Sequence, residues 1–62
     1  MSGVVRLDGT ARNEHFIQVE HIVRWQRVPS GNYTIVYLTN GTSLETICSD
    51  GEVARLVEEA RQ

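Results

Sequence analysis

His15, His21 and Cys48 are the side chains in this sequence suited to soft-metal binding or to nucleophile–base chemistry. Zinc sites set ligands in close pairs such as CxxC or HxxxH, so that one turn of backbone brings two donors to one ion. No two of the three residues have that spacing. His15 and His21 flank one expected strand and should diverge into solvent. Cys48 stands before an expected helix start, where the helix dipole can lower a thiol pKa. A reactive thiol also needs a base, and no histidine is close to it in sequence, so Cys48 is read as a small buried residue. Ser43 and Ser49 have no visible triad partners. Asp50, Glu52, Glu58 and Glu59 belong to a helix start and a helix surface, and acids near a helix N-terminus are ordinary dipole compensation. There is no GxGxxG and no P-loop; Gly31, Gly41 and Gly51 each mark a turn or helix start. No catalytic residue, metal or cofactor is expected, and the chain is not expected to be an enzyme.

Arginine chemistry is what remains. The chain has six basic residues, all arginine, and no lysine. Codon bias accounts for this; the functional alternative is selection for bidentate carboxylate or phosphate contacts. Arg24, Trp25 and Arg27 lie in one strand-like run, and with Arg12 the arginines form the candidate nucleic-acid or anion-binding set. Such a cluster can stack bases and grip phosphates. Two features oppose it. The net charge is −2, without the basic excess usual in nucleic-acid binders. In a regular strand Arg24 and Trp25 also point to opposite faces.

The elements that would position these residues read as strands first and a helix last. Val4–Leu7 is a short apolar run ending at the hairpin dipeptide Asp8-Gly9. His15–Val19 is a second strand, with a tight turn or bulge near Glu20-His21. Ile22–Val28 is a third, with Val23 and Trp25 on one face and Arg24 and Gln26 on the other. Pro29-Ser30-Gly31-Asn32 is a dense turn cluster. Tyr33–Thr39 and Thr42–Cys48 are the fourth and fifth strands. Asn40-Gly41 between them suits a type I′ turn, which needs two positive-φ positions. Ser49 with Glu52 reads as a capping box. Val53, Leu56, Val57 and Ala60 follow at i, i+3, i+4 and i+7, one apolar helical stripe.

The 62 residues predict one small domain, with sheet over 4–48 and helix over 50–61. A chain this short buries only about 60% of its unfolded surface, so its core is marginal. One cysteine excludes an internal disulfide. Self-association is the expected supplement. No run of 18 apolar residues marks a membrane span, and MSGVVRLDG lacks a signal-peptide core. A lone thiol fits a reducing cytoplasm.

The fourth strand does not alternate apolar with polar. Tyr33, Ile35 and Tyr37 share one face, and Val36 and Leu38 share the other. Apolar residues on both faces indicate a strand covered on two sides. One helix covers only one. The sheet therefore either curls into a partial barrel or meets a second subunit. For the second case Trp25, Tyr33, Ile35 and Tyr37 are the candidate interface residues, because aromatics with a polar tip suit interfaces.

The order LDG, HFIQVEHIV, TIVYLTNGTSLETI and a capped helix with EV resembles the FlbD-type small flagellar proteins and related short bacterial and phage proteins. Phe16, Ile22, Thr34, Val36, Leu38, Asn40-Gly41, Ser49, Glu52 and Val53 carry the resemblance, which spans most of the chain. Gln18-Val19 stands where the family has asparagine-proline, and the lysine-rich helix end of the flagellar members is absent. The resemblance implies a fold and a non-enzymatic role rather than flagella.

The expected fold is α+β: a twisted antiparallel sheet of about five strands, as a meander or partial barrel, with one C-terminal helix on one face. The expected function is a small non-enzymatic binding or regulatory module. It acts through protein contacts as a homo-oligomer, a dimer or larger, with another protein as a further partner. Nucleic-acid binding through the sheet arginines is one alternative. The other is a nucleotide sponge with pockets at subunit interfaces.

Overall fold

The computed structural model describes residues 3–62. It contains strands β1 (Val4–Asp8), β2 (Glu14–Gln18), β3 (Ile22–Val28), β4 (Tyr33–Leu38) and β5 (Ser43–Thr46), and helix α1 (Asp50–Arg61). A 3-10 turn over Val19–His21 separates β2 from β3. The class is α+β, with every strand pair antiparallel.

The strands do not form one sheet. β1 pairs with β2 in a two-stranded sheet, and β3-β4-β5 forms a three-stranded one. This corrects both the single five-stranded sheet and its partial-barrel form. The cause lies at the 3-10 turn: Val19 is drawn into the core there, so the chain leaves β2 without a hairpin and β3 starts a new ladder. The two sheets meet instead through an isolated bridge between Gly9 and Thr46. Around it, the Ile47 N–H donates to the Asp8 carbonyl at 3.0 Å and the Thr46 hydroxyl donates to the same carbonyl at 2.7 Å.

The β4–β5 hairpin also departs from its expected turn. A type I′ turn needs positive φ at both Asn40 and Gly41, but only Gly41 has it, at 85°. The loop is three residues long, closed by Leu38 N–H to Thr42 O at 2.9 Å and Gly41 N–H to Leu38 O at 3.2 Å. Asn40 contributes through its side chain, whose Oδ1 accepts from the Thr42 N–H and hydroxyl. The β3–β4 loop is Pro29–Asn32, as the turn cluster predicts, with Asn32 at φ 58°.

The core consists of Val5, Leu7, Val19, Ile22, Val36, Val53 and Val57. Two buried threonines accompany it, and both are satisfied. Thr34 donates to the Cys48 carbonyl at 2.8 Å, and Thr46 donates to Asp8. Helix α1 packs against β1, β3 and the 3-10 turn. Its stripe is the one the sequence indicates: Val53 and Val57 are fully buried, and Leu56 and Ala60 border the core. The Ser49 hydroxyl accepts from the Glu52 N–H at 3.1 Å and caps the helix. At the other end the Gly3 N–H donates to the Ala60 carbonyl at 3.1 Å. A Cβ at Gly3 would stand 2.7 Å from that carbonyl oxygen, so the approach needs a glycine.

Candidate interaction surface

Burial along β4 alternates between buried Thr34 and Val36 and half-buried Tyr33, Ile35 and Tyr37. Successive side chains of a strand point to opposite faces. Val36 belongs to the core beneath α1, so Tyr33, Ile35 and Tyr37 face away from the helix, and none of the three is part of the core cluster. The ladder places Arg24, Gln26 and Val28 of β3 beside Tyr37, Ile35 and Tyr33. On the other side it places Ser43 beside Tyr37 and Glu45 beside Ile35. The result is an apolar stripe along the middle strand, extended by Val28 at the Tyr33 end and flanked elsewhere by Arg24, Gln26, Ser43 and Glu45.

Two groups border this outer face. The Arg24 guanidinium lies over the Tyr37 ring, 4.2 Å from its centroid. The β1–β2 loop reaches the β5 side, where Thr10 donates to Glu45 at 3.5 Å. A notch of about 390 Å³ separates Ala11 and Asn13 of that loop and His15 of β2 from Ile35 and Glu45.

Trp25 does not join the tyrosines. Its ladder partner is Val36, which puts it on the helix side. There it packs against the core and borders a groove of about 430 Å³ with Ala54, Glu58 and Arg61 of α1. A register shift between Ile22 and Arg24 also separates Val23 from Trp25, and Val23 is 60% exposed.

The arginine set is dispersed as well. Arg24 pairs with Tyr37 and Arg27 with Thr34, so they occupy opposite faces. Arg27 donates to Asn32 Oδ1 at 3.2 Å. Arg12 sits in the β1–β2 loop at φ 60°. Among the described residues, these three arginines make no ion pair. The arginines that do are Arg6 and Arg55. Arg6 meets Glu14 at 2.8 Å and Asp8 at 3.1 Å; Arg55 meets Glu59 at 2.5 Å and also Glu52. The hydrogen bond from Arg6 holds the Glu14 carboxyl below its ordinary pKa, and Glu14 and Asp8 in turn raise that of Arg6.

The titratable groups do not converge on a site. Among the described residues, no group of three or more His, Cys, Asp and Glu is placed to hold a metal ion. His21 Nδ1 lies 3.2 Å from the Thr39 hydroxyl, and His15 Nε2 lies 3.4 Å from the Asn13 amide. Cys48 is half-buried and free. No helix among the described residues is long and apolar enough to cross a membrane.

One surface was not singled out by the sequence reading. Phe16 of β2 is 65% exposed and Val4 of β1 is 59% exposed. They are diagonal neighbours on the outer side of the two-stranded sheet, since Val4 pairs with Gln18 and Arg6 with Phe16. The signal for this was available: Phe16 alternates with His15 and Ile17, so only one of these two sets can face the core.

No protein-family model, curated protein or solved structure matches this chain.

Proposed function

We propose that this protein is a non-enzymatic binding module that acts through protein–protein contacts as a homo-oligomer, with the outer face of β4 as a contact surface. The observation that carries this reading is the stripe of Tyr33, Ile35 and Tyr37 on the face of the sheet turned away from α1. Aromatic centres with a polar rim are the composition of protein interfaces. A 62-residue chain also has a small core, and association supplements it. The resemblance to FlbD-type small proteins supports a non-enzymatic role of the same kind.

Nucleic-acid or nucleotide binding has less support. Among the described residues Arg12, Arg24 and Arg27 carry no ion pair, but they lie in separate places, and the net charge is negative. Light scattering on the purified protein tests the leading reading. The wild type should exceed the monomer mass at high micromolar concentration, and Tyr37→Glu should lower that mass while far-UV circular dichroism stays unchanged.

A further inference from the structure

The sheets leave strand edges, and the edges are not equivalent. β5 is four residues long and is closed at Thr46 by the bridge to Gly9. The β3 edge carries a register shift beside Val23 together with Arg24 and Arg27. Shortness, bulges and charge are the usual protections of an edge against strand addition. The β2 edge has no bulge, no proline and no lysine or arginine. Its one acid, Glu14, is the first residue of the strand and pairs with Arg6 of β1 at 2.8 Å.

The free backbone groups of that edge can be assigned. The Gly9 N–H donates to Asn13 O and the Val19 N–H donates to Gly3 O. Hydrogen-bonded pairs alternate along an antiparallel ladder. His15 and Ile17 therefore bond to β1, and the N–H and C=O groups of Glu14, Phe16 and Gln18 point outward. Beside them runs a groove of about 490 Å³ lined by Phe16, Ile17, His21, Leu38 and Thr39.

We infer that the β2 edge pairs antiparallel with β2 of a second copy, about a two-fold axis at Phe16. Phe16 then faces Phe16, and Glu14 of each copy faces Gln18 of the other, whose amide can donate to the carboxylate. Parallel pairing in register would set Glu14 against Glu14, and like charges directly opposite are destabilising. The flanks agree with the antiparallel choice. Arg12 precedes the strand and Glu20 follows it, so the basic flank of one copy lies beside the acidic flank of the other. His15 and Ile17 of the added strand would lie over the groove. A generic extended peptide satisfies the backbone but has no reason to supply this charge order. This contact does not use the β4 face and does not rest on it. Together, two different self-complementary contacts build an assembly larger than a dimer.

The test isolates the β2 contact in the Tyr37→Glu background. That protein should be a dimer at high micromolar concentration by sedimentation equilibrium. Adding Phe16→Glu should give a monomer, because two carboxylates then meet at the axis. Mixing it with Tyr37→Glu carrying Phe16→Lys should restore a dimer, a result that misfolding cannot produce. The Phe16 and Gln18 amides should exchange slowly with solvent in the dimer and fast in the monomer. A monomeric Tyr37→Glu protein, or a dimer that survives Phe16→Glu, overturns the inference. If Tyr37→Glu leaves the wild-type mass unchanged while Phe16→Glu abolishes association, the β4 reading fails and the β2 contact stands.

Discussion

Arg24 and Tyr37 are ladder partners on β3 and β4, and the guanidinium of one lies 4.2 Å from the ring centroid of the other. The contact covers one end of the apolar stripe with a cation that has no carboxylate partner among the described residues. A cation over an exposed ring contributes about 0.5–1 kcal/mol. Arg24→Ala should cost the folded chain about that amount in urea denaturation. An unchanged midpoint would mean that the stacking contributes nothing.

Leu7 is fully buried, while its near neighbour Val4 on the other face of β1 is 59% exposed. Deleting a buried leucine to alanine costs about 2–5 kcal/mol. Total stabilities of small domains begin near ~5 kcal/mol. Leu7→Ala should therefore remove a large share of the total stability and lower the melting temperature clearly. Val4→Ala should stay within about 0.5 kcal/mol of wild type, the usual range at an exposed site. Thermal melts of the two variants make the comparison.

Thr46 holds the two sheets together. Its hydroxyl donates to the Asp8 carbonyl at 2.7 Å and accepts from the Cys48 N–H at 3.2 Å. Thr46→Val keeps the shape and removes both bonds, taking from the part-buried Cys48 N–H this partner at a cost of about 1–3 kcal/mol. The Ile47 amide, which donates to the same Asp8 carbonyl, should exchange faster in this variant. Exchange at the wild-type rate would show that the bridge at Gly9 holds the sheets without the hydroxyl.

Glu14 carries a pH dependence of definite sign. The hydrogen bond from Arg6 lowers its folded pKa. The folded chain thus binds this proton more weakly than the unfolded chain. The resulting stabilisation is complete above the ordinary glutamate pKa and is lost as pH falls through the lower folded value. Both groups are exposed, so added salt should shrink the effect. An NMR titration should place Glu14 below ordinary glutamates, and Arg6→Gln should return it. A Glu14 value that ignores Arg6→Gln would remove the ion pair from the account.

The legible parts of the fold are those with local causes. Ser49 with Glu52 reads directly as a cap because its hydrogen bond spans three residues. The stripe at Val53 and Val57 needs only helical spacing. The alternation in β4 likewise separates Tyr33, Ile35 and Tyr37 from Val36. What depends on distant chain was not legible. The split into two sheets follows from Val19 packing into the core at a 3-10 turn. The Gly9–Thr46 bridge joins positions far apart in sequence. The Asn40-Gly41 turn differs because the Asn40 side chain, rather than its backbone, supplies the bond to Thr42. Trp25 is the instructive case. A four-residue loop pairs Val28 with Tyr33, and that parity carries Trp25 to Val36 and away from the tyrosines. Loop length alone would have assigned its face.

The claim that β4 offers its outer face to another copy is tested most directly by mass in solution. Light scattering at high micromolar concentration should give a wild-type mass above the 7.0 kDa monomer. Tyr37→Glu should lower that mass with the secondary structure intact. A wild type that remains at 7.0 kDa, or a Tyr37→Glu protein of unchanged mass, contradicts the account.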